Sequence, residues 1–315
     1  MITAPSDIVA QQVMAAGAFR CGFAEAVPVS DDDTRRLADW IGSKHHAGMK
    51  WMERNGDIRR DPRLLLDGAK TLIVTLFNYH TASDNSDAPA PRIAAYAHGK
   101  DYHYVLRERL AQVTNFLTSN YGGECRVCID SAPLRERYWA QRAGLGYCGR
   151  NGMLIVPGVG SSFFIATILW TGRVSEYTRP YDGPGCGSCH RCVDACPRQA
   201  LSGTGTVDCR RCLSYLTIES REELPADFNP HGNLFGCDAC RLACPHSHNT
   251  PLTEIEEFAV PHPATALSLD QWLATGTSAF RRITAGSPLS RVRLSRLKEV
   301  ALRLKTDFDT GNTLN

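Results

Sequence analysis

A chain of 315 residues, 43% hydrophobic and 22% charged, has enough apolar material for one large domain or two ordinary ones. Its formal net charge of +2 excludes recognition of a polyanion by overall charge, so such a partner must be met by a local patch. No stretch approaches the roughly 18 consecutive apolar residues of a membrane span. The opening MITAPSDIVAQQVMAAG has neither a basic start nor an apolar run before a cleavage site, so a cytoplasmic chain with no membrane partner is expected.

In chain order, residues 34–54 are expected to form a helix with Leu37, Trp40 and Ile41 on one face. Residues 71–79, TLIVTLFNY, are β-branched and apolar, the signature of a buried strand. A Ser/Asp/Pro/Ala loop follows at 81–91. Helical spacing returns over 103–119 through Val105, Leu106, Leu110, Val113, Phe116 and Leu117. Residues 126–130 make a short strand. Pro133 then opens a helix at the position proline favours, running to about Ala143 and ended by Gly144 and Gly146. Residues 162–170 are a second buried strand. Strands alternating with helices predict an α/β (α+β) layered domain over residues 1–175. At YDGPGCG, 181–187, composition shifts to Cys, Pro and Gly, which marks a small second domain over 176–250. A helical C-terminal segment over 251–315 completes the chain.

The 13 cysteines are an odd number and, without an export signal, are expected to be reduced thiols. The run Cys186-x2-Cys189-x2-Cys192-x3-Cys196-Pro197 has the spacing of bacterial ferredoxins, in which three thiolates wrap one cubane and the fourth ligates the other. Two-residue spacers aim successive sulfurs at three iron corners, and the longer spacer with proline turns the chain away. The second run, Cys237-x2-Cys240-x3-Cys244-Pro245, lacks one cysteine, which Cys209 or Cys212 can supply. Crossed ligation gives Cys186, Cys189, Cys192 and Cys244 to one [4Fe–4S] cluster. The other takes Cys196, Cys237, Cys240 and the upstream cysteine. A zinc ribbon would leave the first run unexplained. Cys125 and Cys128 are also spaced C-x2-C, but Cys128 lies in the predicted strand, where a thiol packs as a small hydrophobe.

A two-cluster module alone needs few residues, so the long N-terminal part should hold the site that the electrons serve. Its polar, glycine-rich stretches are YAHGKDYH at 96–103, Asp130-Ser131-Ala132-Pro133, and GLGYCGRNGML at 144–154. With CGSC-x2-C-x2-ACP at 186–197, RRCLSYLTIE at 210–219 and FGC-x2-C-x3-CP at 235–245, they resemble the epoxyqueuosine reductases in the same order over residues 15–250. Tyr147 and Arg150 stand where that family usually has Trp and Lys.

The resemblance implies a cobalamin-dependent, iron–sulfur oxidoreductase related to the corrinoid reductive dehalogenases. It would reduce the epoxide of epoxyqueuosine at the tRNA wobble position to queuosine. It selects Cys212 over Cys209 as the eighth ligand, and makes Asp130 the proton donor, which burial beside a flat corrin would keep protonated. It implies cofactor contacts from Tyr102, His103, Asn151, Ser214 and Asp238. The sequence Asp101-x-His103-x-x-Leu106 lacks the closing glycine of the motif that ligates cobalt from below, so His103 is expected to line the pocket without binding cobalt. A reductant such as a flavodoxin or ferredoxin system and a monomeric chain are further expectations. Between 281 and 305, Arg281, Arg282, Arg291, Arg293, Arg296, Lys298, Arg303 and Lys305 face one acid, Glu299, a cluster suited to the tRNA backbone. The alternatives are a dehalogenase-like enzyme acting on small molecules and a plain ferredoxin-type electron carrier.

Overall fold

The computed structural model describes residues 3–85 and 91–309; part of the expected loop at 81–91 lies outside them. A four-stranded sheet carries the N-terminal part: β1 (Arg20–Glu25), β2 (Thr71–Asn78), β3 (Cys125–Ile129) and β4 (Phe163–Trp170), in the order β1-β2-β4-β3. All three pairings are antiparallel. Thr71 sits opposite Trp170, Asn78 opposite Phe163, and Ile129 opposite Ala166. The sheet therefore belongs to the α+β side of the expected class.

Every residue of β2 is buried, and its side chains alternate between two cores as the period of a strand requires. Ile73 and Phe77 face helices α1 (Ser6–Ala15) and, further along the chain, Tyr102–Tyr121, with Leu106, Leu110, Val113 and Leu117. Leu72, Val74 and Leu76 face the opposite layer, built around Trp139 and Ala140 of the helix Glu136–Arg142. Burying each such side chain contributes about 1.5–3 kcal/mol, which makes this central strand the anchor of the layer. Thr75 fits because its hydroxyl donates to the Ala166 carbonyl at 2.8 Å.

Residues 176–250 have no core of their own. Leu213, Leu216, Leu234 and Phe235 share one with Trp272, Phe280, Leu297, Val300 and Leu304 of the C-terminal helices, the longest of which is Leu294–Asp309. The C-terminal segment thereby braces the cysteine-rich loops.

Two expected helices are shorter than their patterns suggest. The helix α2 (Asp31–Gly42) stops well before residue 54, because Gly42-Ser43 ends it and Lys44 and Ala47 take left-handed backbone at φ 56° and 51°. The helix after Pro133 starts at Glu136, since residues 131–133 bend to place Asp130. The Gly-Leu-Gly turn that follows it is sterically required: at Gly146, φ is 154° and a Cβ would lie 2.1 Å from the Ile155 carbonyl oxygen. Among the described residues no helix is long and apolar enough to cross a membrane.

Candidate active site

Asp130 directly follows the edge strand β3 in a left-handed conformation at φ 51°, tolerable for Asp but costly enough to need support. Its amide donates to Glu136 Oε1 at 2.7 Å, and its carboxylate accepts the Tyr102 hydroxyl at 3.0 Å. His103 Nε2 lies 3.5 Å from the same oxygen, while His103 Nδ1 is 2.8 Å from Asp101. Asp101 also caps the helix by accepting the His103 amide at 2.9 Å. Tyr102 is fixed by stacking on Phe164, with ring centroids 4.2 Å apart.

The electrostatics follow from these contacts. Hydrogen bonds to Asp101 and Asp130 push His103 up to about 9, so it is an imidazolium at neutral pH. The His103 contact, opposed by desolvation and aided by Tyr102, holds Asp130 below the usual carboxylate range. The expected protonation of Asp130 depends on burial beside a corrin; in the protein alone, His103 carries the raised pKa and Asp130 is its counter-ion. Burial and the negative Asp130 push Glu136 up to about 8, which makes it a neutral acid at pH 7.

Asp130 is enclosed by several elements, yet 63% of its side chain is open to solvent. Asp130 thus presents its carboxylate to solvent beside the side chains that bond it. Tyr96 lies between this site and the cysteine loops, edge-on to Tyr102 at 6.4 Å and tilted against Phe235 at 6.1 Å, with its phenol raised by burial and then by Asp130, Glu219 and Asp238. Asp238, between Cys237 and Cys240, accepts the Ala95 amide at 2.7 Å and Arg241 Nε at 2.8 Å. Arg291 on the far side forms a two-pronged pair with Glu219 at 2.9 and 3.0 Å, and its charge acts on Asp130.

The thiols fall into two groups. Cys244 feels Cys186 and Cys189, and Cys192 feels Cys186 and Cys244. Cys212 feels Cys196, while Cys237 and Cys240 both feel Cys196 and Cys212. Backbone N–H groups point at several sulfurs: Arg150 at Cys186 (3.4 Å), Ala200 at Cys196 (3.2 Å), and Tyr215 and Ser214 at Cys212. Among the described residues no three His, Cys, Asp or Glu side chains converge tightly enough for a single ion. A cubane needs a wider spread, because each thiolate grips a separate iron. The buried Cys209 thiol is pushed up to about 12, with Cys212 as its cysteine neighbour.

Asn151 is buried at 5% exposure, with its amide on the Cys240 carbonyl at 3.3 Å and its oxygen accepting the Met153 amide. Asn151, Ser214 and Asp238 thus brace the cysteine loops, whereas Tyr102 and His103 stand with Asp130. Cys21, Cys125 and Cys128 are raised by burial, as packed thiols are. The basic tail divides: Arg281, Arg282, Arg293 and Arg303 are exposed, but Arg296 is 6% exposed and tied to Glu299 at 2.7 Å and to the Glu222 carbonyl. Glu136, Tyr96 and the Glu219–Arg291 pair were missed in the sequence. Glu136 carried a signal only in its place six residues after Asp130.

Comparison with known proteins fits this geometry. The family described as epoxyqueuosine reductase QueG, DUF1730, matches residues 59–131, and a 4Fe-4S double cluster binding domain matches residues 185–247. An epoxyqueuosine reductase of Cyclobacterium marinum is 36% identical over 87% of this chain and 88% of its own. The chain belongs to the epoxyqueuosine reductase family. The Escherichia coli epoxyqueuosine reductase is 34% identical over 89% of this chain and 77% of its own. A solved epoxyqueuosine reductase bound to an epoxyqueuosine-modified tRNA-Tyr stem loop superposes with a TM-score of 0.85 at 26% identity, covering 96% of this chain and 81% of that one. A Bacillus subtilis epoxyqueuosine reductase, with the same TM-score, was captured with its aspartate-bearing catalytic loop swung out of the active site.

Proposed function

We propose that this member of the epoxyqueuosine reductase family, an oxidoreductase, converts epoxyqueuosine in tRNA to queuosine, with Asp130 as the last proton carrier. The observation that carries this reading is the solvent-facing Asp101–His103–Asp130 array, linked through Tyr102, Tyr96 and Ala95 to Asp238 between Cys237 and Cys240. The reaction takes two electrons and two protons, breaks both C–O bonds of the epoxide and releases its oxygen as water.

The electrons come through two [4Fe–4S] clusters, held by Cys186, Cys189, Cys192 and Cys244, and by Cys196, Cys212, Cys237 and Cys240. The grouping of the thiols supports this crossed set. The solvent-facing Asp130 carboxylate, beside the His103–Tyr102–Phe164 ring stack, is the polar and aromatic lining that a corrin and its substrate would meet. Bound there, cobalamin supplies a strongly reducing cobalt centre for C–O cleavage. His103, both of whose ring nitrogens face carboxylates, lines the site and leaves cobalt without a histidine ligand, since an imidazolium cannot ligate a metal.

This chain's own groups manage the protons. Imidazolium His103 can hand its proton across the 3.5 Å contact to Asp130 once substrate desolvates the carboxylate. Asp130 then delivers it to the epoxide oxygen as negative charge develops there. Asp101 keeps His103 oriented and charged. The left-handed Asp130, held by hydrogen bonds to Glu136 and Tyr102, occupies the kind of loop that swings out of the active site in the Bacillus relative. A tRNA substrate places the reaction in the cytoplasm, with electrons from a flavodoxin or ferredoxin system and the chain acting as a monomer. The test is conversion of epoxyqueuosine-bearing tRNA by the cluster- and cobalamin-loaded protein, compared with Asp130→Asn.

A further inference from the structure

Beyond the α2 helix, residues 43–54 form a compact loop that presents Trp51 at 41% exposure, an unusual placement for the largest aromatic side chain. The loop is rigidly held. His46 is 2% exposed and bonds Glu53 at 2.8 Å, the Gly48 amide donates to the Tyr215 hydroxyl at 2.8 Å, and the His45 carbonyl accepts the Cys209 amide at 2.8 Å. A Cβ on Gly48 would lie 2.7 Å from that tyrosine oxygen, so the loop can only close against the cluster-bearing segment with glycine there.

Arg291 lies over the Trp51 ring, 5.7 Å from its centroid, and is itself locked by Glu219. Arg291 ends the turn Pro288–Arg291, which packs on Ala95–Ala97; Tyr96 there meets Tyr102 edge-on at 6.4 Å, and Tyr102 bonds Asp130, so the indole stands near the Asp130 site. Lys50 and Arg54 bracket Trp51 in sequence, are both exposed, and have no ion-pair partner among the described residues. An exposed, rigid indole backed by a cation and flanked by free cations is the arrangement that stacks an unpaired nucleobase while holding its phosphates.

We infer that Trp51, backed by Arg291 and flanked by Lys50 and Arg54, is a stacking platform for an unpaired base next to the epoxyqueuosine nucleotide. The inference rests on the function proposed above and adds the subsite that orients the RNA. The platform holds one flanking base splayed out, so that the modified base reaches toward Asp130. Preorganisation matters here: the loop is already fixed by Gly48 and His46, so little ordering opposes binding.

The experiment measures the dissociation constant of a synthetic epoxyqueuosine-bearing anticodon stem-loop for the cluster-loaded protein, by fluorescence anisotropy. Wild type, Trp51→Ala and Trp51→Phe are compared, each with the intact loop and with loops made abasic at either neighbour of the modified base. Trp51→Ala should bind the intact loop roughly tenfold or more weakly, the scale of a lost stacked base, and Trp51→Phe should recover most of that. One abasic loop should bind wild type as weakly as the intact loop binds Trp51→Ala, with no further loss when the two changes are combined. Equal binding by wild type and Trp51→Ala overturns the platform, as does a full additive loss in the combination. Wild type failing to bind any stem-loop sinks the proposed function and the platform with it, and is separable from the other outcomes. Iron and sulfide content unchanged in Trp51→Ala excludes a folding defect as the cause.

Discussion

The imidazole Nε2 of His103 lies 3.5 Å from the carboxylate of Asp130, whose side chain faces solvent. In the protein alone the proton is held on His103 and the Asp130 carboxylate is charged. Storage on His103 keeps a donor available near neutral pH, where an aspartate held below its usual range has no proton of its own.

The pH dependence follows with a definite sign. His103 is raised from 6.5 to about 9, so its proton is present throughout the neutral range and is lost as pH rises through about 9. Turnover should therefore fall on the alkaline side around that value, and His103→Gln should lower the neutral rate and remove the break. Single-turnover rates against pH decide it. A break near 9 that persists unchanged in His103→Gln would show that the proton is stored elsewhere.

For the clusters, anaerobic reconstitution should give about eight iron and eight sulfide per chain, the content of two cubanes. Cys212→Ser should lose one cluster's worth, and Cys209→Ser neither. The Cys209 amide is committed to the His45 carbonyl, and Cys212 is the cysteine that acts on its thiol. A loss in Cys209→Ser with retention in Cys212→Ser would reverse the assignment.

Cobalamin added to the protein and held as Co(II) should show an electron paramagnetic resonance spectrum without nitrogen hyperfine structure from a protein ligand. Both His103 nitrogens face carboxylates, which leaves no lone pair for cobalt. A nitrogen triplet that disappears in His103→Ala is the contrary result.

How much of this was legible in the sequence varies by element. The strands at 71–78 and 163–170 were plain, because buried runs of β-branched and apolar residues have few alternatives. Seven of the eight candidate ligands follow from spacing, which is local chemistry, whereas spacing leaves Cys209 and Cys212 both open for the eighth. The helix end at Gly42 was hidden because the pattern continues while the backbone turns left-handed at Lys44 and Ala47. The charge state of Asp130 was hidden too, since His103 is 27 residues away in sequence and meets it only when the helix Tyr102–Tyr121 packs on the sheet. Arg296 looked like a phosphate contact for the same reason: composition records its charge and not its burial.

The basic tail accordingly makes a divided prediction. Arg281→Gln, Arg282→Gln and Arg293→Gln together should weaken tRNA binding and flatten its salt dependence, by about one counterion per lost phosphate contact. Arg296→Ala should instead destabilise the fold by about 1–3 kcal/mol, since it strands the Glu222 carbonyl and Glu299 beside a buried core. Thermal melts and salt-dependent binding separate the two. An unchanged salt slope in the triple variant would mean that this face is merely solvated.

The most direct measurement is conversion of epoxyqueuosine-tRNA to queuosine-tRNA under strong reductant, by protein carrying both clusters and cobalamin, with Asp130→Asn alongside. The substitution keeps size and shape and removes the proton carrier. Wild type should form queuosine, and Asp130→Asn should retain its clusters, cobalamin and tRNA binding yet turn over roughly a hundredfold more slowly, the scale of a positioned acid. Near-wild-type turnover in Asp130→Asn, with cofactors intact, would contradict the role given to Asp130, and no queuosine from the loaded wild-type protein would contradict the function itself.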